Sequence, residues 1–133
     1  YRDFAAAPAL LAAVRAACPG LVLKVILETG EIGDLGRIGE ASRIALAAGA
    51  DFLKTSTGKT PTSATPEAAR VLLEAIAADP AARNRAGFKP SGGIRTVADA
   101  AIYISLTRDI LGDAAVVPPF TSWTRKLLSD WPV

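Results

Sequence analysis

The sequence predicts an α/β protein built on a parallel sheet. Short runs of β-branched and other apolar residues alternate with helical patterns of about 10 to 15 residues, which is typical of successive βαβ units. Two of the apolar runs end in a lysine, Lys54 and Lys89, and each lysine is followed by a turn rich in small residues. The 133 residues contain no linker or low-complexity segment, so we expect a single domain over residues 1–133.

The first half of the chain predicts a helix, a strand and a second helix. Residues 5–17 are rich in alanine and leucine, and Pro19 and Gly20 end this helical pattern. The run 21–28 is almost entirely apolar, as expected for a strand buried on both faces, and only Lys24 interrupts it before the final acid. Asp34 is then predicted to cap a helix with apolar residues at helical spacing.

The second half predicts two further strand–helix units. A strand over 50–54 leads to Thr65, which is a suitable N-cap because a proline and an acid follow it. A strand over 86–90 leads to Thr96 and Asp99, which have the spacing of a capping box. In the tail, Trp123 and Trp131 are expected to cover apolar surface.

Composition and charge exclude several classes of function. The net charge of +2 is too small to indicate nucleic acid as a partner, and no apolar run reaches the length of about 20 residues that a membrane span needs. The absence of histidine excludes imidazole metal sites and Ser-His or Cys-His pairs, and the single Cys18 fits a reducing compartment, so we predict a cytoplasmic protein. The chain opens on Tyr1 and contains no methionine, so we expect a piece of a longer protein.

The two strand-ending lysines predict amine chemistry. A lysine amine attacks a carbonyl only when it is neutral, and both burial and a nearby ammonium favour the neutral form. Lys54 is therefore a candidate nucleophile, with Lys89 as the neighbouring cation and Lys24 as a third inward candidate. In the alternative interpretation, Lys54 and Lys89 extend to solvent at the strand ends and Lys24 forms a structural ion pair.

Two loops are candidates for binding an anion. Gly92 and Gly93 stand directly before a predicted helix, where backbone N–H groups and the helix dipole favour negative charge, and Arg95 adds a guanidinium. The loop 55–59 offers hydroxyls, a glycine and a lysine. The candidate binding residues are Thr55, Gly58, Lys59, Gly92, Gly93 and Arg95. The glycines alone could simply make turns. No carboxylate pair or metal-ligand spacing is present, so we predict no metal and no cofactor.

Three stretches of sequence resemble the deoxyribose-phosphate aldolase family. They are Leu-Lys-Val-Ile-Leu-Glu-Thr-Gly at 23–30, Gly-Ala-Asp-Phe-Leu-Lys-Thr-Ser-Thr-Gly-Lys at 49–59, and Gly-Phe-Lys-Pro-Ser-Gly-Gly-Ile-Arg at 87–95. The resemblance covers about residues 1–112. It implies part of a (β/α)8 barrel and reversible, metal-free cleavage of 2-deoxy-D-ribose 5-phosphate to glyceraldehyde 3-phosphate and acetaldehyde.

The resemblance also implies roles for individual residues. Lys54 corresponds to the lysine that forms the Schiff base, Lys89 to the lysine that perturbs it and aids proton transfer, and Lys24 to a further active-site lysine. The glycines and cations of the two loops fall where the family holds the substrate phosphate.

Two departures from the family pattern qualify this reading. A complete barrel needs about 250 residues, and the family's catalytic aspartate precedes the part matched here, so we expect a C-terminal half-barrel. The tail 113–133 diverges, because Pro118 and Pro119 do not fit a central strand. We expect association with another copy or with an N-terminal half. The alternatives are a truncated, non-catalytic half-barrel and another Schiff-base aldolase or a transaldolase.

Overall fold

The computed structural model describes residues 5–116, in which three strands alternate with helices. In chain order the elements are α1 (Ala7–Ala17), β1 (Lys24–Ile26), α2 (Thr29–Ile32), α3 (Leu35–Ala47), β2 (Phe52–Lys54), α4 (Pro66–Ala78), β3 (Gly87–Lys89), α5 (Val97–Leu111) and a 3₁₀ helix (Asp113–Val116). The predictions about Trp123, Trp131 and the proline pair of the tail lie outside the described residues.

The strands form one parallel sheet in the order β1-β2-β3. This confirms the predicted α/β class, with the strand–helix order of part of a (β/α)8 barrel. Each strand is three residues long and therefore shorter than the apolar run that predicted it. Single hydrogen bonds extend the pairing beyond the strands, from the Leu27 N–H to the Lys54 carbonyl and from the Thr55 N–H to the Lys89 carbonyl.

The two faces of the sheet have different chemistry. The central row is Val25, Leu53 and Phe88, and it packs against α3 and α4. Leu53 is fully buried there, as expected for the middle of a sheet covered by helices. The next row, Ile26, Lys54 and Lys89, points to the opposite face because successive residues of a strand alternate between faces.

The helices begin where the sequence predicts caps. The Asp34 carboxylate accepts a hydrogen bond from the Arg37 N–H at the start of α3, and the Thr65 hydroxyl accepts one from the Ala68 N–H at the start of α4. Thr96 and Asp99 form the predicted capping box of α5. Each cap satisfies N–H groups that have no partner within the first turn of a helix. The short helix α2 was not predicted.

The amino-terminal end of the sheet is held by one carboxylate. Asp51 Oδ2 accepts hydrogen bonds from the Leu23 N–H at 2.8 Å and from Arg15 Nη1 at 3.1 Å, and Oδ1 accepts one from Arg85 Nη1 at 2.9 Å. This network joins α1, β1, β2 and the segment before β3 at the end of the sheet opposite the lysine pair.

Within residues 5–116, no helix has both the length and the apolar character needed to cross a lipid bilayer.

Candidate active site

The carboxyl end of the sheet brings two predicted lysines side by side. Lys54 ends β2, Lys89 ends β3, and the parallel register pairs the two residues directly. Paired residues of neighbouring parallel strands point to the same face, so both side chains leave the sheet on the same side. Lys24 lies on this face too, two residues before Ile26, which pairs with Lys54.

Lys24 and Lys54 act electrostatically on Lys89. Burial lowers the pKa of Lys89 below its usual value of 10.5, and the positive charges of Lys24 and Lys54 lower this pKa further. Both effects disfavour an ammonium ion. Lys24 Nζ lies 5.3 Å from the centre of the Phe52 ring, a cation–π contact, and it forms no salt bridge with any carboxylate among residues 5–116. The structural ion pair of the alternative interpretation is therefore absent among residues 5–116, and Lys24 makes an aromatic contact there.

Hydroxyl groups tie together the loops that follow the two lysines. The Thr55 hydroxyl donates to the Ser91 carbonyl at 3.3 Å and accepts from the Ser91 N–H at 2.9 Å. The Ser56 hydroxyl donates to the same carbonyl. Thr55 and Ser56 are completely buried. The structure therefore places Thr55 beside the candidate site with its hydroxyl already engaged within the protein.

Two glycines let these loops approach each other closely. Gly58 and Gly92 have φ values of +79° and +86°, and a Cβ added to Gly58 would lie 3.7 Å from the Gly92 Cα. A Cβ on Gly92 would lie 2.4 Å from the Ser63 side chain, a distance that real Cβ atoms do not reach. Gly93 also has a left-handed φ of +81°, but its missing Cβ would face open space. The backbone beside Gly93 is therefore accessible to a ligand.

The start of α5 already carries an acid. Asp99 Oδ2 accepts hydrogen bonds from the N–H groups of Arg95 and Thr96 at 3.0 and 2.9 Å, and the Arg95 bond is the largest of the effects that lower the pKa of Asp99. These two amides are thus engaged by the capping box. The groups that remain for an anion are the backbone at Gly92 and Gly93 and the exposed side chains of Lys59 and Arg95.

Glu28 has a place in this site that the sequence did not reveal. Its backbone is left-handed, with φ 54° and ψ 60°, and its carboxylate accepts three hydrogen bonds from Thr57 and one from Thr60. The only sequence signal was its position at the carboxyl end of β1. Its partners lie about 30 residues further along the chain, beyond the reach of local patterns.

Among residues 5–116, no three histidine, cysteine, aspartate or glutamate side chains come together as ligands for a metal ion. The absence of a metal and of a cofactor stays a prediction.

The structure therefore defines the class of protein as a parallel α/β fold with two lysines paired at the carboxyl end of its sheet, the end at which active sites of (β/α)8 barrels lie. Comparison with known proteins gives the family. Residues 3–109 match the model of the DeoC/LacD family of aldolases, and the chain belongs to this family.

Individual relatives support the same assignment. The chain is 49% identical over 117 residues to a deoxyribose-phosphate aldolase of Agrobacterium fabrum (strain C58 / ATCC 33970), a match that covers 87% of this chain and 44% of that protein. The chain therefore spans less than half the length of this curated relative.

Solved structures agree on the fold. A crystal structure of a candidate deoxyribose-phosphate aldolase from Toxoplasma gondii ME49 superimposes with a TM-score of 0.75 at 27% identity, covering 84% of this chain and 44% of that one. QR15, an aldolase, superimposes with a TM-score of 0.62 at 35% identity, covering 74% of this chain and 42% of that one.

Proposed function

We propose that this chain carries the Schiff-base lysine and the phosphate-binding loops of a deoxyribose-phosphate aldolase. The observation that carries the proposal is the direct pairing of Lys54 with Lys89 at the carboxyl end of the sheet. The 49% identity to the Agrobacterium aldolase supports the same substrate, 2-deoxy-D-ribose 5-phosphate.

In this proposal the lysine pair prepares a neutral amine. Lys54 is the nucleophile and must lose a proton before it attacks the aldehyde carbon of the open-chain sugar. Lys89, whose pKa is lowered by burial and by its cationic neighbours, is the group placed to accept that proton. Lys24 adds positive charge on the same face and so further lowers the pKa of Lys89.

The imine then serves as an electron sink. Attack by Lys54 and loss of water give an iminium ion at C1 of the sugar. Removal of the C3 hydroxyl proton breaks the C2–C3 bond, whose electrons move into the iminium to form an enamine, and glyceraldehyde 3-phosphate leaves. Protonation of the enamine at C2 and hydrolysis of the iminium release acetaldehyde and regenerate the amine, with no net oxidation or reduction.

The substrate phosphate is proposed to lie over the two loops that meet at Gly58 and Gly92. The open backbone at Gly93 and the exposed Lys59 and Arg95 side chains supply hydrogen bonds and positive charge. Thr55 contributes by joining the two loops, since its hydroxyl is bonded to Ser91.

The experiment that tests the proposal is reductive trapping. The chain is incubated with acetaldehyde and borohydride, and the reduced two-carbon adduct is located by intact mass and peptide mapping. We expect one adduct on Lys54, its loss in Lys54→Met, and slower formation in Lys89→Met because the proton acceptor is gone. Lys59, exposed and five residues further on, is the internal control and should stay unmodified.

Two other outcomes would change this assignment. A single adduct on Lys89 would exchange the roles of the two lysines, which the lowered pKa of Lys89 makes a specific rival. Adducts scattered over exposed lysines, or none, would contradict the proposal and leave the non-catalytic half-barrel as the better description.

The proposed partners follow from the same chemistry. They are a phosphorylated sugar and its aldehyde products. We propose neither nucleic acid nor a membrane as a partner, and we propose the cytoplasm as the location. A second copy of the chain or an N-terminal half-barrel is proposed to cover the sheet edges that stand free within residues 5–116.

A further inference from the structure

We propose that Glu28 is a positioning residue that holds the loop Thr55–Thr60 in the shape that presents Gly58 and Lys59 to an anion. The loop part of this inference stands on the contacts of Glu28 alone. The anion part rests on the proposed function.

The carboxylate of Glu28 binds one side of the loop at several points. The Thr57 N–H lies 3.2 Å from Oε1 and 3.1 Å from Oε2, and the Thr57 hydroxyl donates to Oε2 at 2.6 Å. The Thr60 hydroxyl shares its one proton between Oε1 at 3.2 Å and the Thr62 carbonyl at 2.9 Å. Both ends of the Thr57–Thr60 segment are thus fixed by one carboxylate that belongs to another strand end.

A relay of hydrogen bonds through Thr57 connects Glu28 to the backbone of Lys59. The Thr57 hydroxyl, which donates to Glu28, also accepts a hydrogen bond from the Lys59 N–H at 3.3 Å. This relay holds the backbone on both sides of Gly58, whose φ of +79° brings it against Gly92. The side chain of Lys59 is left exposed, because its backbone and not its ammonium is the part held by the relay.

The backbone of Glu28 is specialised for this contact. Its φ of 54° is the one positive value of a non-glycine residue among residues 5–116. A left-handed conformation is unfavourable for an ordinary residue, because its Cβ comes too close to the following carbonyl oxygen. It turns the chain out of β1 at the point where the side chain meets Thr57.

The charge of Glu28 fits a role inside the protein. Its pKa is lowered, chiefly by the hydrogen bond from the Thr57 hydroxyl, and the positive charge of Lys54 contributes. A carboxylate beside a proposed phosphate site would repel the ligand if it were free. Here its oxygens accept hydrogen bonds from the loop, which stabilise the ionised carboxylate and occupy its oxygens with the donors that it positions.

The test compares Glu28→Gln with Glu31→Gln in the full chain. Both variants replace one carboxylate by an amide, and the two positions are three residues apart in the sequence. The exposed Glu31 side chain lies outside the loop contacts. Amide hydrogen exchange is followed by NMR, and inorganic phosphate is titrated while the Gly58 and Lys59 amides are observed. We expect Glu28→Gln to speed exchange at Thr57 and Lys59 by about tenfold and to weaken phosphate binding several-fold. Glu31→Gln should change neither.

Other readouts separate this inference from general loss of structure and from the proposed function. Thr60→Val removes one donor and keeps Glu28, so it should weaken phosphate binding in the same direction but less. If Glu28→Gln leaves loop exchange at the wild-type rate, the positioning role is overturned. If wild-type Gly58 and Lys59 do not respond to phosphate, the anion part is overturned. If trapping at Lys54 fails while Thr57 protection still depends on Glu28, the proposed function falls and the loop contact stands.

Discussion

Lys89 is a lysine that the fold holds partly out of water beside two other cations. The protonated form is disfavoured in the folded state, whereas in the unfolded chain Lys89 titrates near its usual value of 10.5. The unfolded state therefore binds more protons in this pH window, and stability rises with pH as the cost of the buried charge disappears. Lys89, which the proposed amine chemistry uses, thus slightly lowers the free energy of unfolding at neutral pH.

Replacing Lys89 with methionine should stabilise the chain at neutral pH. The substitution removes the buried charge and keeps the aliphatic stem, and the gain should stay under about 1 kcal/mol because solvent screens a partly exposed group. The gain should be fully present below the folded-state pKa of Lys89 and fade as the pH rises towards 10.5. Urea denaturation across this range measures it. Lys59→Met, at an exposed position, should show no such trend, and a gain in Lys89→Met that is constant with pH would contradict the argument.

Asp51 joins several elements at the amino-terminal end of the sheet. Its pKa is lowered, first by the hydrogen bond from the Leu23 N–H and then by its bonds to Arg15 and Arg85. A lowered carboxyl pKa means that the stabilisation is complete above the usual value of 3.8 and is lost as the pH falls through the folded-state pKa. This one side chain therefore makes the docking of α1 on the sheet sensitive to acid.

Asp51→Asn should lower the free energy of unfolding by about 1 to 2 kcal/mol at neutral pH. An amide keeps one acceptor oxygen but turns an NH₂ group towards groups that are themselves donors. Asp34→Asn is the matched control, because asparagine caps a helix as well as aspartate does. Denaturation curves of both variants at pH 7 and in acid measure the effect. The difference between wild type and Asp51→Asn should close in acid, and a difference that persists there would contradict the linkage.

The elements that the sequence predicted correctly are those determined by interactions between residues close together in the chain. The caps at Asp34, Thr65 and Thr96 lie within three residues of their partners, so local patterns revealed them. The placement of Lys54 and Lys89 at the same end of the sheet followed from the rule that parallel strands end at one edge, and the register of β2 on β3 then pairs them directly. Glu28 did not follow, because its partners at Thr57 and Thr60 are set by the register of β1 on β2 and by a left-handed φ that a glutamate rarely adopts.

At the scale of the whole molecule, the sheet within residues 5–116 ends in two unpaired strands. Strand β1 lies at one edge and β3 at the other. The Leu27 N–H donates to β2, so the neighbouring Ile26 N–H points the other way, towards the free edge. Ile26 is also 42% exposed. Unpaired N–H and C=O groups beside apolar side chains are a template for another strand.

We therefore expect the chain alone to self-associate by edge pairing rather than by stacking its lysine-bearing faces, which would repel each other. Sedimentation velocity across the micromolar range should show the average mass rising with concentration. Ile26→Lys should weaken this association, because a charge on an edge strand disfavours pairing. Ile102→Lys makes the same change at an exposed site on α5 and should leave it intact. A monomer at every concentration would contradict edge pairing, and so would an equal loss of association in both variants. The expected partners of β1 and β3 would then be further barrel strands of the same polypeptide.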